Sequence, residues 1–243
     1  MRVIVCDNYE QISETAARIV AGQINLKPDC VLGLATGSTP IGLYDKLAEL
    51  NKNGEVDFSE VTSFNLDEYY PIKKDNPQSY DYFMKEQLFS KVNINIENTY
   101  IPNGEAKDAQ AECENYEKLI EEKGGIDLQI LGIGKNGHIG FNEPDECLIT
   151  KTHITDLTQS TIDANSIFFD KAEDMPAKAL TMGIATILSS KKIVLLANGA
   201  GKYEAVSALM NDEITTNTPA TMLKVHPDVV IICDKAAYTG KAE

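Results

Sequence analysis

Short apolar runs alternate with longer amphipathic segments along almost the whole chain. The apolar runs predict buried β-strands at Arg2–Cys6, Cys30–Ala35, Val61–Asn65, Asn98–Ile101, Leu128–Gly132, Lys192–Ala197 and Val229–Cys233. The amphipathic segments predict helices at Tyr9–Ile24, Ile41–Asn51, Tyr80–Phe89, Ala109–Glu122, Ala177–Leu188 and Lys202–Met210. In the first of these, Ile12, Ala16, Ile19 and Val20 recur at helical spacing.

This alternation predicts an α/β fold of the Rossmann-like, doubly wound kind, with a mostly parallel sheet and helices on both faces. No internal repeat or Pro/Ser-rich linker divides the chain, so we expect one domain over residues 1–243. The stretch Asp145–Met175 is the least regular. It predicts either a lid, over approximately residues 150–182, or a small excursion from the main sheet. Ligands of such folds bind at the carboxyl ends of the parallel strands.

Two loops that follow predicted strands have the character of phosphate sites. Thr36, Gly37, Ser38 and Thr39 precede Pro40 at the start of a helix, where hydroxyls and helix donors can hold an oxyanion. An ordinary Ser/Thr cap explains the same residues. The second loop, Ala197–Lys202, delivers Lys202 at another helix start, where it is either a point charge for a phosphate or a solvated lysine.

A third loop places two carboxylates, Asp67 and Glu68, directly after the predicted strand Val61–Asn65. Adjacent carboxylates in this setting cannot both point the same way. One can enter the cleft as a base while its neighbour caps or pairs elsewhere. A surface acidic turn is the alternative interpretation.

The fourth loop, Gly132–Pro144, is rich in glycine and carries His138 and Glu143 five residues apart. An imidazole titrates near neutrality, and a carboxylate can fix its tautomer, so the pair suits proton transfer to a small molecule. A strand-to-helix turn with an incidental histidine is the alternative. The order of the four loops favours metal-free proton transfer on a sugar phosphate. The spacing of the histidines does not favour a zinc site, and we expect no metal.

The composition of the chain bears on its partners and on its cellular compartment. The formal net charge of −15 opposes binding to nucleic acid. Five scattered cysteines without a Cys-x-x-Cys pair predict free, mostly buried thiols in a reducing cytoplasm. No apolar run approaches membrane-helix length, and the start of the chain lacks the features of a signal peptide, so we expect no membrane association.

Three motifs together resemble the glucosamine-6-phosphate deaminases, the glucosamine-6-phosphate isomerase family. They are Thr36-Gly37-Ser38-Thr39-Pro40, Asn65-Leu66-Asp67-Glu68-Tyr69 and Gly137-His138-Ile139-Gly140-Phe141-Asn142-Glu143-Pro144. The related 6-phosphogluconolactonases usually lack the Phe-Asn-Glu-Pro tail and carry Asp-Glu-Arg in place of Asp67-Glu68-Tyr69.

The resemblance implies conversion of glucosamine 6-phosphate and water to fructose 6-phosphate and ammonia, with no cofactor, in amino-sugar catabolism. It implies that His138, oriented by Glu143 and with Asn136, opens the sugar ring. Asp67 would move the C2 proton to C1, and Lys202 with the Thr36–Thr39 loop would bind the phosphate.

Two residues depart from the family pattern. Asn136 stands where many members have Asp, and Ile167 stands where the family usually places a lid arginine. Ile167 leaves open a deaminase of another hexosamine phosphate, such as galactosamine 6-phosphate. A 6-phosphogluconolactonase-like hydrolase and a non-catalytic sugar-phosphate sensor are further alternatives. Glu146, His153 and Thr155 stand where allosteric members carry a basic cluster, so we expect a monomer or small homo-oligomer without activator control.

Overall fold

The computed structural model describes residues 1–166, 169, 171 and 174–241. In chain order, its strands and helices are β1 Arg2–Cys6, α1 Tyr9–Leu26, β2 Val31–Leu34, α2 Ile41–Lys52, β3 Thr62–Asn65, β4 Asp67–Tyr70, α3 Tyr80–Met84, β5 Thr99–Tyr100, α4 Ala109–Glu122, β6 Leu128–Gly132, β7 His153–Asp156, α5 Gln159–Asn165, β8 Lys178–Thr181, α6 Ile184–Leu188, β9 Ile193–Ala197, α7 Tyr203–Met210, β10 Val229–Asp234 and α8 Lys235–Thr239. None of these helices is both long and apolar enough to cross a membrane.

The main sheet is parallel throughout and, over the described residues, has the order β1-β10-β9-β6-β2-β3-β5. Each of its strands coincides with one of the strands predicted from the sequence, which confirms the Rossmann-like, mostly parallel fold. Every residue of β9 is buried, and β10 is buried up to Cys233. Strands covered on both faces need continuous apolar runs, and such runs can be recognised in the sequence.

A second, smaller sheet is antiparallel and has the order β4-β8-β7. The sequence did not predict it. The predicted helix Ala177–Leu188 is wrong over its first part, because residues 178–181 form β8 and only Ile184–Leu188 is helical. Likewise, Asp67 begins β4 rather than standing in a loop. Pairing with distant strands decides the conformation of such short segments more than their local propensity does.

The four chemistry-bearing loops follow four strands that are neighbours in the main sheet, in the order β9-β6-β2-β3. Chain order differs from this order, since β6 and β9 come long after β2 and β3. Parallel pairing therefore brings loops from distant parts of the sequence to one edge of the sheet. This is the edge at which open α/β sheets bind ligands.

The predicted helix Tyr80–Phe89 has two parts. α3 ends at Met84, and a π-helical turn continues it over Lys85–Phe89. The start of α3 is capped by Ser79, whose Oγ accepts a hydrogen bond from Tyr82 N at 3.0 Å. This start of the helix lies against β4, and Tyr80 reaches the cavity described next.

Candidate active site

A cavity of about 660 Å³ lies where the four loops meet. The main sheet contributes the loops after β2, β6 and β9, and the small sheet contributes β4. Its walls are formed by Ala35, Thr36, Gly37, Ser38, Thr39, Leu66, Asp67, Tyr80, Gly132, Ile133, Gly134, Lys135, Asn136, His138, Gly140, Phe141, Thr161 and Lys202. A cavity of about 700 Å³ elsewhere, between Pro71, Gly104 and Phe169, is lined by none of the predicted site residues.

The hydroxyl-rich loop after β2 is held from behind by Tyr9. The Tyr9 hydroxyl lies 3.0 Å from the carbonyl oxygens of both Ser38 and Thr39, and it accepts a hydrogen bond from Gly42 N at 2.8 Å. Thr39 Oγ1 donates to Asn198 Oδ1 at 3.1 Å, which joins this loop to the one after β9. α2 begins at Ile41 directly behind this loop, and Gly42 N in its first turn is used by the Tyr9 hydroxyl.

Lys202 enters the same corner from the start of α7. Its Nζ donates to the carbonyl oxygen of Ile133 at 2.6 Å, so the ammonium is anchored beside the loop after β6. Burial lowers the pKa of Lys202, and the positive charge of Lys135 lowers it further. An anion bound here would favour the charged ammonium and so raise the pKa of Lys202 again.

His138 and Glu143 are in direct contact. His138 Nδ1 lies 2.9 Å from Glu143 Oε1, aligned as a charge contact rather than as a linear hydrogen bond. Asn136 bridges the two residues, because its Nδ2 donates to Glu143 Oε2 at 2.7 Å and its Oδ1 accepts from His138 N at 3.2 Å. Burial raises the pKa of Glu143, but the contacts with His138 and Asn136 outweigh burial and lower it overall. Glu143 is therefore an anion that can stabilise a protonated imidazole.

The imidazole ring fits the loop because position 134 is glycine. A Cβ atom at Gly134 would lie 2.4 to 2.5 Å from atoms of the His138 ring, far inside van der Waals contact. The turn closes with Gly137 N donating to Gly134 O at 3.1 Å, and Gly134 N donating to His138 O at 2.9 Å. The ring is thus held between its own loop and Glu143.

Asp67 faces the cavity from β4 and is only 6% exposed. Burial raises its pKa to about 8, and the charge of Glu68 contributes to the rise. Glu68 turns to the other side of the strand, where it accepts hydrogen bonds from the N–H groups of Tyr69, Tyr80 and Asp81. Burial raises the pKa of Glu68 to about 7 in spite of these donors.

The His138 loop and Asp67 are positioned against each other through Thr181. Thr181 is the register partner of Asp67 between β4 and β8, and its Oγ1 accepts from Phe141 N at 3.0 Å. A Cβ atom at Gly140 would lie 2.9 Å from Thr181 Oγ1 and 3.5 Å from Asp67 Oδ2. Asn142 adds a clamp, with Nδ2 donating to the carbonyl oxygens of Ile139 and Met182, both at 2.8 Å.

The predicted site residues are thus brought together. Eight of them line the cavity, namely Thr36, Gly37, Ser38, Thr39, Asp67, Asn136, His138 and Lys202, and Glu143 stands directly behind His138. Ile167 lies outside the described residues. Within the described ranges, no cluster of three or more His, Cys, Asp and Glu side chains is arranged to hold a metal ion.

Lining residues that sequence reasoning did not assign to the site include Tyr80, Lys135, Phe141 and Thr161. Lys135 and Phe141 lie within the Gly-rich motif, so their positions offered a signal. Tyr80 begins a predicted helix whose amphipathic pattern does not indicate a site, and Thr161 lies in a helix that the sequence did not predict. Thr161 comes from α5, and its Oγ1 lies 3.5 Å from Glu143 Oε1.

Comparison with known proteins places this geometry in a family. Residues 7–231 match the family described as glucosamine-6-phosphate isomerases/6-phosphogluconolactonase. A glucosamine-6-phosphate deaminase of Halothermothrix orenii is 56% identical over 98% of both chains. One of Thermoanaerobacter pseudethanolicus is 57% identical, with 98% of this chain and 94% of that protein covered.

Solved structures agree with the sequence relatives. A monomeric glucosamine-6-phosphate deaminase superposes with a TM-score of 0.95 at 45% identity, covering 99% of this chain and 100% of that one. A 6-phosphogluconolactonase of Thermotoga maritima shares the fold, with a TM-score of 0.75 at 22% identity over 96% of this chain and 99% of the other. Because the family match spans most of the chain and the two relatives exceed half identity over nearly all of it, this chain belongs to the glucosamine-6-phosphate isomerase/6-phosphogluconolactonase family.

Proposed function

We propose that this protein is a glucosamine-6-phosphate deaminase, which converts glucosamine 6-phosphate and water to fructose 6-phosphate and ammonia. The observation that carries the proposal is the arrangement of one cavity. It holds a buried carboxylate at Asp67, an imidazole backed by a carboxylate at His138, and a hydroxyl-rich loop with Lys202. Relatives at 56% and 57% identity bear the name of this activity.

Ring opening is assigned to His138. The proton of the C1 hydroxyl must leave while the ring oxygen gains one, and the bond between C1 and that oxygen breaks to give an open-chain aldehyde. Glu143 is an anion 2.9 Å from Nδ1, so it stabilises the imidazole while the ring carries the extra proton. Asn136 holds Glu143 in that position through its 2.7 Å hydrogen bond.

Proton transfer between carbons is assigned to Asp67. Its carboxylate removes the C2 proton, the electron pair forms a C1–C2 double bond, and the aldehyde oxygen gains the proton that the substrate's ammonium group gives up, which leaves a neutral enolamine. Asp67 then returns its proton to C1, and the nitrogen lone pair forms a C2–N double bond. Water adds to C2 of this imine and ammonia leaves, so the ketone of fructose 6-phosphate remains. The substrate's own amine and carbonyl accept the electrons, and we expect no cofactor.

Asp67 must be ionised to act as this base. Its raised pKa of about 8 makes it a stronger base than an ordinary carboxylate, because burial penalises the charge. The substrate's ammonium group, bound next to C2, would favour the ionised form. A base with a pKa near the working pH combines adequate ionisation with adequate basicity.

The phosphate end is assigned to the loop after β2 and to Lys202. Thr36, Ser38 and Thr39 line this corner with hydroxyls, and Lys202 offers charge. Two lysines of the predicted lid, Lys151 and Lys178, are paired with Glu117 and Asp156 and do not line the cavity. We infer a cytoplasmic enzyme that acts as a monomer or small homo-oligomer.

The experiment is ammonia release measured with glucosamine 6-phosphate, galactosamine 6-phosphate and glucosamine without the phosphate. We expect turnover of the first, weaker turnover of its C4 epimer and little of the unphosphorylated sugar. Hydrolysis of 6-phosphogluconolactone is measured in parallel. Faster lactone hydrolysis than ammonia release would overturn the proposal, and so would sugar-phosphate binding without any turnover.

A further inference from the structure

The turn that carries Asn136 also carries a lysine that has no role in the chemistry described above. Gly137 N donates to Gly134 O, so Lys135 and Asn136 occupy the two central positions of a tight turn. Asn136 contacts Glu143 on the proton-transfer side of the cavity. Lys135 extends toward the loop after β9, since a Cβ atom at Gly201 would lie 3.5 Å from its Cε.

Lys135 and Lys202 therefore reach one corner from two different loops. Both line the cavity, as do the hydroxyl residues Thr36, Ser38 and Thr39. Lys202 Nζ is anchored on Ile133 O, two residues before Lys135 in the chain. The two charges interact, since the Lys135 charge is one of the causes that lower the pKa of Lys202.

Neither lysine is neutralised by the protein. Over the residues that the structure describes, no carboxylate forms an ion pair with Lys135 or Lys202. The chain carries a formal net charge of −15, so carboxylates are abundant elsewhere on it. Two unpaired ammonium groups held close together repel each other, and a doubly charged anion between them would remove that repulsion.

We propose that Lys135 is a second phosphate-binding cation, which together with Lys202 makes this corner selective for dianionic phosphate monoesters over monoanionic esters of the same shape. The inference rests on the proposed function for the identity of the sugar. That Lys135 and Lys202 together bind a dianionic phosphate does not depend on it. Lys135 extends toward Gly201 in the loop after β9, so in this proposal it acts on phosphate binding rather than on the proton transfers at Asp67 and His138.

The test compares Lys135→Gln with Lys135→Arg and with Lys118→Gln, which removes an exposed lysine of α4 that does not line the cavity. For glucosamine 6-phosphate, we expect Lys135→Gln to raise KM about tenfold, as for loss of a charge-assisted contact, with kcat within about twofold. Lys135→Arg restores the charge and should stay near the wild-type KM. Lys118→Gln should have no effect.

A second readout separates charge recognition from a structural effect. Inhibition constants are measured for glucitol 6-phosphate, a dianion, and for glucitol 6-sulfate, a monoanion with the same tetrahedral head. The wild type should prefer the phosphate, and Lys135→Gln should lose most of that preference by weakening phosphate binding alone. Equal weakening of both esters, or an unchanged KM and preference, would overturn the inference.

Failure of the proposed function gives a different result. If the wild type releases no ammonia from glucosamine 6-phosphate, that proposal falls. The same two esters are then titrated calorimetrically into wild type and Lys135→Gln. Loss of phosphate preference in the variant would still support the second cation, and unchanged preference would still refute it.

Discussion

Glu68 accepts hydrogen bonds from the backbone N–H groups of Tyr80 and Asp81 at the start of α3, at 2.9 and 3.0 Å, while the adjacent Asp67 lines the cavity. Alternation along β4 sends the two carboxylates to opposite sides of the strand. Glu68 thereby fixes α3, and with it Tyr80, against the strand that presents Asp67. The division of labour expected from the sequence, one carboxylate in the cleft and its neighbour used as a cap, is the arrangement found.

Replacing Asp67 by Asn should nearly abolish turnover. The amide cannot take the C2 proton, and removal of a positioned base costs about 10²–10⁴-fold in rate. Initial rates of ammonia release measure the loss, with Asp212→Asn as a control that removes an exposed carboxylate. If Asp67→Asn kept more than a tenth of the wild-type kcat, another group would have to carry the proton.

The same variant should be more stable than the wild type at alkaline pH. The pKa of Asp67 is about 8 in the folded protein and near 3.8 when unfolded, so the folded state holds the proton more tightly. The free energy of unfolding therefore falls as pH rises from about 4 to 8. Asp67→Asn removes this loss and should gain more than about 1.4 kcal/mol at pH 8, the value of one pKa unit. Urea denaturation at pH 5 and pH 8 tests this, and an equal difference at both would contradict it.

Replacing His138 by Gln should impair ring opening more than the later steps. Gln keeps a polar side chain beside Glu143 but cannot carry the proton. The comparison uses glucosamine 6-phosphate and an analogue without the 5-hydroxyl, which cannot form the pyranose ring. We expect a loss of about 10²-fold or more for the cyclic substrate and a much smaller one for the analogue. Similar losses for both would remove His138 from ring opening.

Replacing Asn136 by Asp should preserve activity but change its pH dependence. Asn136 Nδ2 donates to Glu143 Oε2 at 2.7 Å, and a carboxylate there can keep this contact only by holding a proton. One carboxyl of the new pair should therefore have a raised pKa. As pH rises through that pKa, repulsion should displace Glu143, so kcat/KM should fall at lower pH than in the wild type. Asn136→Ala, which lacks the new carboxyl, should lose activity at all pH values.

Replacing Lys202 by Ala should raise KM for glucosamine 6-phosphate at least about tenfold, which corresponds to 1.4 kcal/mol. On the proposed function, the ammonium contributes charge to phosphate binding, whereas kcat would depend mainly on Asp67 and His138. Steady-state kinetics separate the two constants. A nearly unchanged KM would mean that the hydroxyl loop and Lys135 hold the phosphate without Lys202.

Much of the main sheet could be predicted because its strands are buried on both faces. Ile193–Ala197 and Val229–Cys233 read as strands without knowledge of their partners. The small sheet could not be predicted in this way. Asp67–Tyr70 begins with two acids, as a surface turn does, and Lys178–Thr181 continues into apolar residues that also fit a helix. Only the pairing of β4 with β8, more than a hundred residues apart, makes both of them strands.

The candidate site could be predicted from the sequence where ionisable side chains lie close to several glycines in one loop, as at His138 and Glu143. It could not be predicted where a residue reaches the cavity from a segment whose sequence pattern gives no sign of a binding site. Tyr80 begins a helix that the sequence predicted, whereas Thr161 lies in Asp145–Met175, where the sequence showed no regular pattern and α5 was not predicted. Their approach to the cavity follows from how the small sheet packs on the main one, which no local pattern encodes.

A single residue, Leu66, separates β3 from β4, and its N–H donates to the carbonyl oxygen of Leu34 at 3.0 Å. Leu34 ends the strand that leads into the Thr36–Thr39 loop, so the span from this loop to Asp67 is set by backbone geometry rather than by adaptable side chains. A fixed distance of this kind selects substrates by the number of carbons between the phosphate and the reacting carbon. If the loop holds the phosphate and Asp67 is the base, as proposed, a six-carbon sugar is the one that places C2 at the carboxylate. A pentosamine 5-phosphate, one carbon shorter, would offer C1 there, a position without the proton that must move.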